Sequence, residues 1–138
     1  MDQKELEEET LLIIKPDGVR RKLIGEIIGR LEKKNLTIMD IVMLRLSNER
    51  AEELYSVHRG KSFFGGLIDY ITFGPVVALR IAGRSSIGIV RSLVGSTNPV
   101  EADPGTIRGD LANEIDENLV HASDSEASAQ REIKIIFS

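Results

Sequence analysis

The chain contains no cysteine, which excludes disulfides, thiolate zinc sites and cysteine nucleophiles together. No apolar run approaches the roughly 20 residues that a membrane-crossing helix needs. The N-terminal stretch MDQKELEEET is acidic and polar, unlike a secretory leader, so the cytoplasm is the expected compartment. Aromatic residues make up 4%, which is poor material for the stacking surfaces that bind RNA. The net charge of −4 also leaves no general basic face for nucleic acid. A small anionic ligand needs only a few well-placed cations and stays compatible with that balance.

What is present is a globular composition, with 41% apolar and 29% charged residues in 138. That is the size of one domain with a real core. We expect a single domain over residues 1–138, with residues 1–9 as a polar lead-in. Thr10 to Lys15 (TLLIIK) reads as a buried strand, broken by Pro16-Asp17-Gly18. From Val19 to Lys34 the apolar residues Leu23, Ile24, Ile27, Ile28 and Leu31 keep helical spacing, and Asn35 is a plausible stop. Leu36 to Leu46 reads as a second strand. Ser47 suits an N-cap for a helix through about Val57. Ser62–Thr72 reads as helix, Pro75–Ala82 as strand and Ser85–Val94 as helix. Thr97 to Asp110 has no periodicity and reads as a long loop, of a length that tends to be functional. Leu119-Val120 is a strand end, and Ser123 with Glu126 fits a capping box opening a last helix. This order predicts a split βαβ sheet with helices on one face.

Several local patterns lead nowhere. Gly60-Lys61-Ser62 resembles the end of a phosphate-binding P-loop, but Tyr55 stands where that motif needs glycine and the context is helical. Asn35-Leu36-Thr37 is an idle glycosylation acceptor without a leader. Gly25 and Gly29 have the spacing of membrane helix pairs, yet Glu26 and Arg30 beside them point to close packing of a soluble helix. No Gly-x-Ser-x-Gly elbow is present to anchor a serine hydrolase.

Two histidines exist. His58 reads as structural or solvated. His121 stands between a strand end and a helix start, in NLVHASDS. A helix N-terminus offers free N–H groups and a positive dipole end, a natural place for an anion beside an imidazole. A free imidazole, with a reference pKa of about 6.5, is mostly neutral at cytoplasmic pH and can act as a nucleophile. Phosphoryl transfer asks mainly for alignment and neutralised charge, and Lys15, Arg91 and Arg108 are candidate cations. Spacing alone does not bring them together.

The segments IIKPDGVRRKLIGEII, TNPVEADPGTIRGD and NLVHASDSEASAQREI resemble those of nucleoside diphosphate kinases, and the likeness runs from about Thr10 to Phe137. It implies a ferredoxin-like α/β sandwich, with helices packed on a four-stranded antiparallel sheet. It also implies ping-pong transfer of the γ-phosphate of ATP to a nucleoside diphosphate, with His121 as the nucleophile. Lys15, Arg91, Thr97, Arg108 and Asn118 would hold phosphates and sugar, with Tyr55 near the lysine. Phe63 and Ile115 would sandwich the base, although core packing is their ordinary use. Mg²⁺ would be held mainly by the nucleotide phosphates. Glu132 would orient His121 and bond Ser123.

On one straight helix opened by Ser123, however, Glu132 lies roughly 13 Å along the axis. Either that helix is broken or the role fails. The chain departs from the family pattern at Ala122 (usually glycine), Ser62 (often proline) and Val57 (often acidic). Relatives form hexamers or tetramers. Here the C-terminal extension of longer members is missing, which leaves a homo-oligomer of open size. A phosphohistidine carrier between proteins is the alternative; it explains His121 but neither the base clamp nor the loop arginines. An inactive scaffold would not need His121, Lys15 and Arg108 together.

Overall fold

A computed structural model describes residues 8–138; most of the polar lead-in lies outside the described residues. Strand β1 (Glu9–Ile14) is followed by helices α1 (Pro16–Arg20) and α2 (Ile24–Lys33), strand β2 (Thr37–Leu44) and helix α3 (Asn48–Leu54). A 3-10 turn at Ser56–His58 leads to α4 (Phe64–Thr72), β3 (Val76–Ala82) and α5 (Ser86–Val94). A second 3-10 turn at Pro99–Glu101, α6 (Ile107–Leu111), β4 (Val120–Ala122) and α7 (Glu126–Phe137) complete the order.

The sheet is antiparallel throughout in the order β2-β3-β1-β4, and the expected four strands are all present. Strand alternation splits its side chains into two cores. Leu12, Ile14, Leu79 and Ile81 meet Ile27 and Leu31 of α2, Val90 and Val94 of α5 and Ile107 of α6. Leu11, Ile13, Val76 and Ala78 meet Ala51 and Leu54 of α3, Ile68 and Ile71 of α4 and Ile136 of α7. Helices therefore cover both faces rather than one. The unbroken apolar run of β1 already implied a strand buried on both sides.

Other departures from the sequence reading have local causes. Pro16-Asp17-Gly18 does end the first strand, but by opening a helix rather than a loop: proline occupies a first-turn position of α1, where its missing N–H costs nothing. The helix expected from Val19 to Lys34 is two helices, separated around Lys22 at φ 62. The helix opened by Ser47 stops at Leu54. The long loop contains a 3-10 turn and α6, which is capped by Thr106 accepting the Gly109 N–H. Ser123 does not cap the last helix; Ser125 does, accepting from the Ser128 N–H at 3.1 Å. Gly25 and Gly29 are not close-packed, since a methyl group at either would meet open space. Asn35 does end α2, at φ 60.

The sheet positions the site directly. His121 pairs with Ile13 across β1 and β4, so it shares Ile13's face and points toward α3, α4 and α7. Among the described residues no helix is long and apolar enough to cross a membrane.

Candidate active site

His121 is held by a carboxylate from α7. Its Nε2 lies 2.7 Å from Glu132 Oε1, and Ser123 Oγ donates to the same oxygen at 2.7 Å. The 13 Å separation assumed one helix from Ser123 onward. The chain instead leaves β4 with the Ser123 N–H donating to Leu11 O at 3.1 Å, and α7 then runs back along the sheet. The helix is unbroken and simply starts later, so the contact needs no break. Glu132 is buried, which works to raise its pKa, but the bonds from His121 and Ser123 and the charge of Arg131 hold it below the ordinary value. An ionised carboxylate accepts a hydrogen bond from Nε2–H, which leaves the lone pair on Nδ1. Tyr55 meets the imidazole edge-on, with ring centroids 5.6 Å apart.

The cations converge. Lys15, at the end of β1, donates from Nζ to Asn118 Oδ1 at 2.9 Å, and Asn118 Nδ2 donates to Thr97 O at 2.9 Å. The Arg108 guanidinium is buried and spread over three carbonyls. It donates to Val120 O at 2.7 Å, Gly95 O at 3.1 Å and Asn118 O at 3.2 Å. Arg91 donates to Ala122 O at 3.2 Å, one residue from His121. Burial and the Arg108 charge push the Lys15 pKa down to about 8. Burial and the Arg91 charge push Arg108 down to about 10. Cations pressed together this way favour an incoming anion.

The arginine loop is itself braced. Asp110 accepts the Gly105 N–H at 2.8 Å and pairs with Arg30 of α2 at 2.9 Å. Gly95, at φ 88, and Gly109 sit where a side chain would strike Thr106 and the Asp103 carbonyl respectively.

Phe63 and Ile115 are not in the core; they are 50% and 53% exposed. Ala122 is in ordinary strand conformation, paired with Leu12, so the methyl group in place of the usual glycine is accommodated. Val57 is 66% exposed, and among the described residues no group of three or more acidic or histidine side chains could hold a metal ion.

Two features escaped the sequence reading. His58, read as structural or solvated, has partners the sequence did not identify: its ring packs 5.3 Å from Phe63 and 6.3 Å from Tyr55, and Lys61 Nζ lies 3.1 Å from its Nδ1. Burial, Lys61 and His121 all lower its pKa, against a smaller opposing effect of Asp124. The short spacing from Tyr55 to Phe63 was the available signal. Asp17, read only as part of a turn, is buried and accepts the Leu119 N–H at 3.0 Å.

Residues 8–138 match the family model "Nucleoside diphosphate kinase". The nucleoside diphosphate kinase of Rubrobacter xylanophilus is 58% identical over 130 residues, which is 94% of this chain and 98% of that protein. That of Archaeoglobus fulgidus is 56% identical over 95% of this chain and 87% of its own length. Among solved structures, the Halobacterium salinarum nucleoside diphosphate kinase in complex with CDP superposes with a TM-score of 0.93 at 44% identity, covering 95% of this chain and 88% of that one. The Aquifex aeolicus enzyme gives 0.92 at 40%, covering 95% of each. The chain belongs to the nucleoside diphosphate kinase family, enzymes that transfer phosphate between nucleotides.

Proposed function

We propose that phosphate moves through His121 in two steps within the single domain. The Nδ1 lone pair attacks the γ-phosphorus of ATP, a P–N bond forms, and the bond to the β-phosphate oxygen breaks with its electron pair leaving on ADP. A second nucleoside diphosphate then attacks the phosphohistidine, and the P–N electrons return to the imidazole. The observation that carries this reading is an imidazole with Nε2 tied to a buried carboxylate, beside the converging Lys15, Arg91 and Arg108. In this reading Glu132 and Ser123 orient the ring, and Lys15, Arg91, Arg108, Thr97 and Asn118 hold phosphates and sugar. Tyr55 packs the nucleophile in place. Phe63 and Ile115 grip the base without reading its edge.

A divalent cation such as Mg²⁺ would be held mainly by the nucleotide's own phosphates and would supply neutralisation of their charge. No step above depends on it.

The protein acts as a homo-oligomer in this reading. Edge strand β2 exposes Met39, Ile41 and Met43 in alternation, at 38%, 56% and 57%. A long apolar edge of this kind requires cover, and a second copy of β2 can extend the sheet. The cytoplasm, where ATP is abundant, is the matching compartment.

The test uses γ-labelled ATP followed by GDP. Wild type takes up an acid-labile, alkali-stable label that GDP discharges as GTP, and His121→Ala takes up none. A label that GDP cannot remove favours the carrier between proteins; labelling of the His121→Ala variant sinks the proposal.

A further inference from the structure

We infer that Asp17 is a positioning residue for phosphate transfer: its carboxylate anchors the strained turn at Leu119 that leads into the His121 strand, and it sets a buried negative charge beside Lys15. The inference rests on the reading of Lys15 and Arg108 as phosphate-holding cations.

The turn is unusual. Leu119 has φ 74, and the Val120 N–H donates to Asn118 O at 2.9 Å. A bond from residue i+2 back to residue i with positive φ between them is the rare, strained form of the γ-turn. A leucine adopts it only when its surroundings impose it. Here they do so through α1. The Leu119 N–H donates to Asp17 Oδ2 at 3.0 Å, and Leu119 O accepts the Lys15 N–H at 2.8 Å. On the opposite side, Asn118 O and Val120 O accept from Arg108. The Asn118 side chain bridges Lys15 and Thr97, and His121 follows two residues later in register with Ile13. One acceptor therefore stabilises the bend through which lysine, arginine and nucleophile are brought into one frame.

The charge has a second use. Burial and Arg108 work to deprotonate Lys15, and Asp17 works against both. The other groups facing Asp17 are phenols. Tyr70 comes from α4 and Tyr55 from the turn after α3; both are held protonated by burial first, with added effects of Asp17 on each and of Glu132 on Tyr55. Asp17 Oδ1 and the Tyr70 hydroxyl are both buried, and the carboxylate helps hold the phenol proton in place.

Asp17→Asn keeps an acceptor for Leu119 and removes the charge. It should fold, take label from ATP, and show the alkaline limb of kcat/KM for nucleoside diphosphate displaced downward by about one pH unit, as loss of a nearby opposite charge does. A merely structural role would lower activity evenly across pH. An unmoved limb in a variant that still takes label overturns the inference, whereas failure of the wild type to take label overturns the site reading instead. If Asp17→Asn does not fold, amide exchange in the wild type decides. A Leu119 N–H protected like the β1–β4 ladder supports the anchor; one exchanging like an exposed loop overturns it.

Discussion

Replacing Glu132 by glutamine isolates the orienting role proposed for it. Oε1 accepts from both His121 Nε2 and Ser123 Oγ at 2.7 Å, inside a buried pocket. An ionised acceptor with two donors permits only the tautomer with its proton on Nε2. Glutamine has one oxygen and one amide nitrogen. If the nitrogen takes the position of Oε1, it donates to Nε2, the proton moves to Nδ1, and the attacking lone pair is gone. A hydrogen bond to a charged group contributes about 1.5–3 kcal/mol. At 1.36 kcal/mol per decade of rate, its loss slows phosphorylation by about 10- to 100-fold. The assay is single-turnover labelling by γ-labelled ATP with acid quench, together with ¹⁵N spectra that report which ring nitrogen is protonated. Nucleotide affinity should be unchanged, because Glu132 touches the ring and not the cation cluster. A Glu132→Gln enzyme that labels within about threefold of wild type, with the Nε2–H tautomer intact, refutes this account; such a loss would be smaller than the weakest bond assumed.

Three further outcomes follow from the same geometry. The Lys15 pKa, lowered to about 8 from 10.5, gives opposite signs to binding and stability. Nucleotide affinity falls as pH rises through 8 because the ammonium is lost, while between 8 and 10.5 the unfolded chain binds more protons and stability rises with pH, by at most about 3 kcal/mol. Urea melts and calorimetric binding at pH 7.5 and 9.5 check both, and parallel changes would contradict the assignment. Gly109→Ala should cost about 1–3 kcal/mol by overpacking, since the methyl group meets the Asp103 carbonyl; a thermal melt and the KM for nucleotide should both move, and an unchanged KM would uncouple that loop from binding. Ile41→Asp, on the exposed face of β2, should dissociate the proposed oligomer in light scattering, and an assembly of unaltered mass would assign the interface elsewhere.

Much of this protein is visible in its sequence, and the failures share a cause. β1, β3, α5 and the two helix faces were legible because periodicity is a local property. Whether the sheet was covered on one face or both depended on which helices return to which side, a long-range fact that only the unbroken apolar run of β1 hinted at. Glu132 was legible as a family resemblance but illegible as geometry. Moving the helix start from Ser123 to Ser125 is a two-residue boundary shift of the ordinary size, yet it freed Ser123 to reach back toward Glu132. Asp17 was hidden because its partner is the backbone of Leu119, 102 residues away, and no spacing rule connects them. Phe63 and Ile115 were recognisable only by resemblance, since residue type alone assigns them to a core they do not join.

The two ends of the proposed site differ in how they recognise a nucleotide, and the difference follows from burial. The phosphate end consists of Lys15 and Arg108, both below 10% exposure and held by Asn118 and by three backbone carbonyls. Their desolvation occurred on folding, so charge–charge attraction there is little screened and an anion gains strongly by entering. The base end consists of Phe63 and Ile115, half exposed and without donors or acceptors. A pocket that bonds a polar edge can reject an analogue lacking it by about 10⁴, because the pocket's own groups are then left unpaired. An apolar grip leaves nothing unpaired whichever base it holds. On the proposed reading, an architecture that holds the phosphates tightly would leave adenine, guanine, cytosine and uracil nearly equivalent, as an enzyme that redistributes phosphate among nucleotides requires.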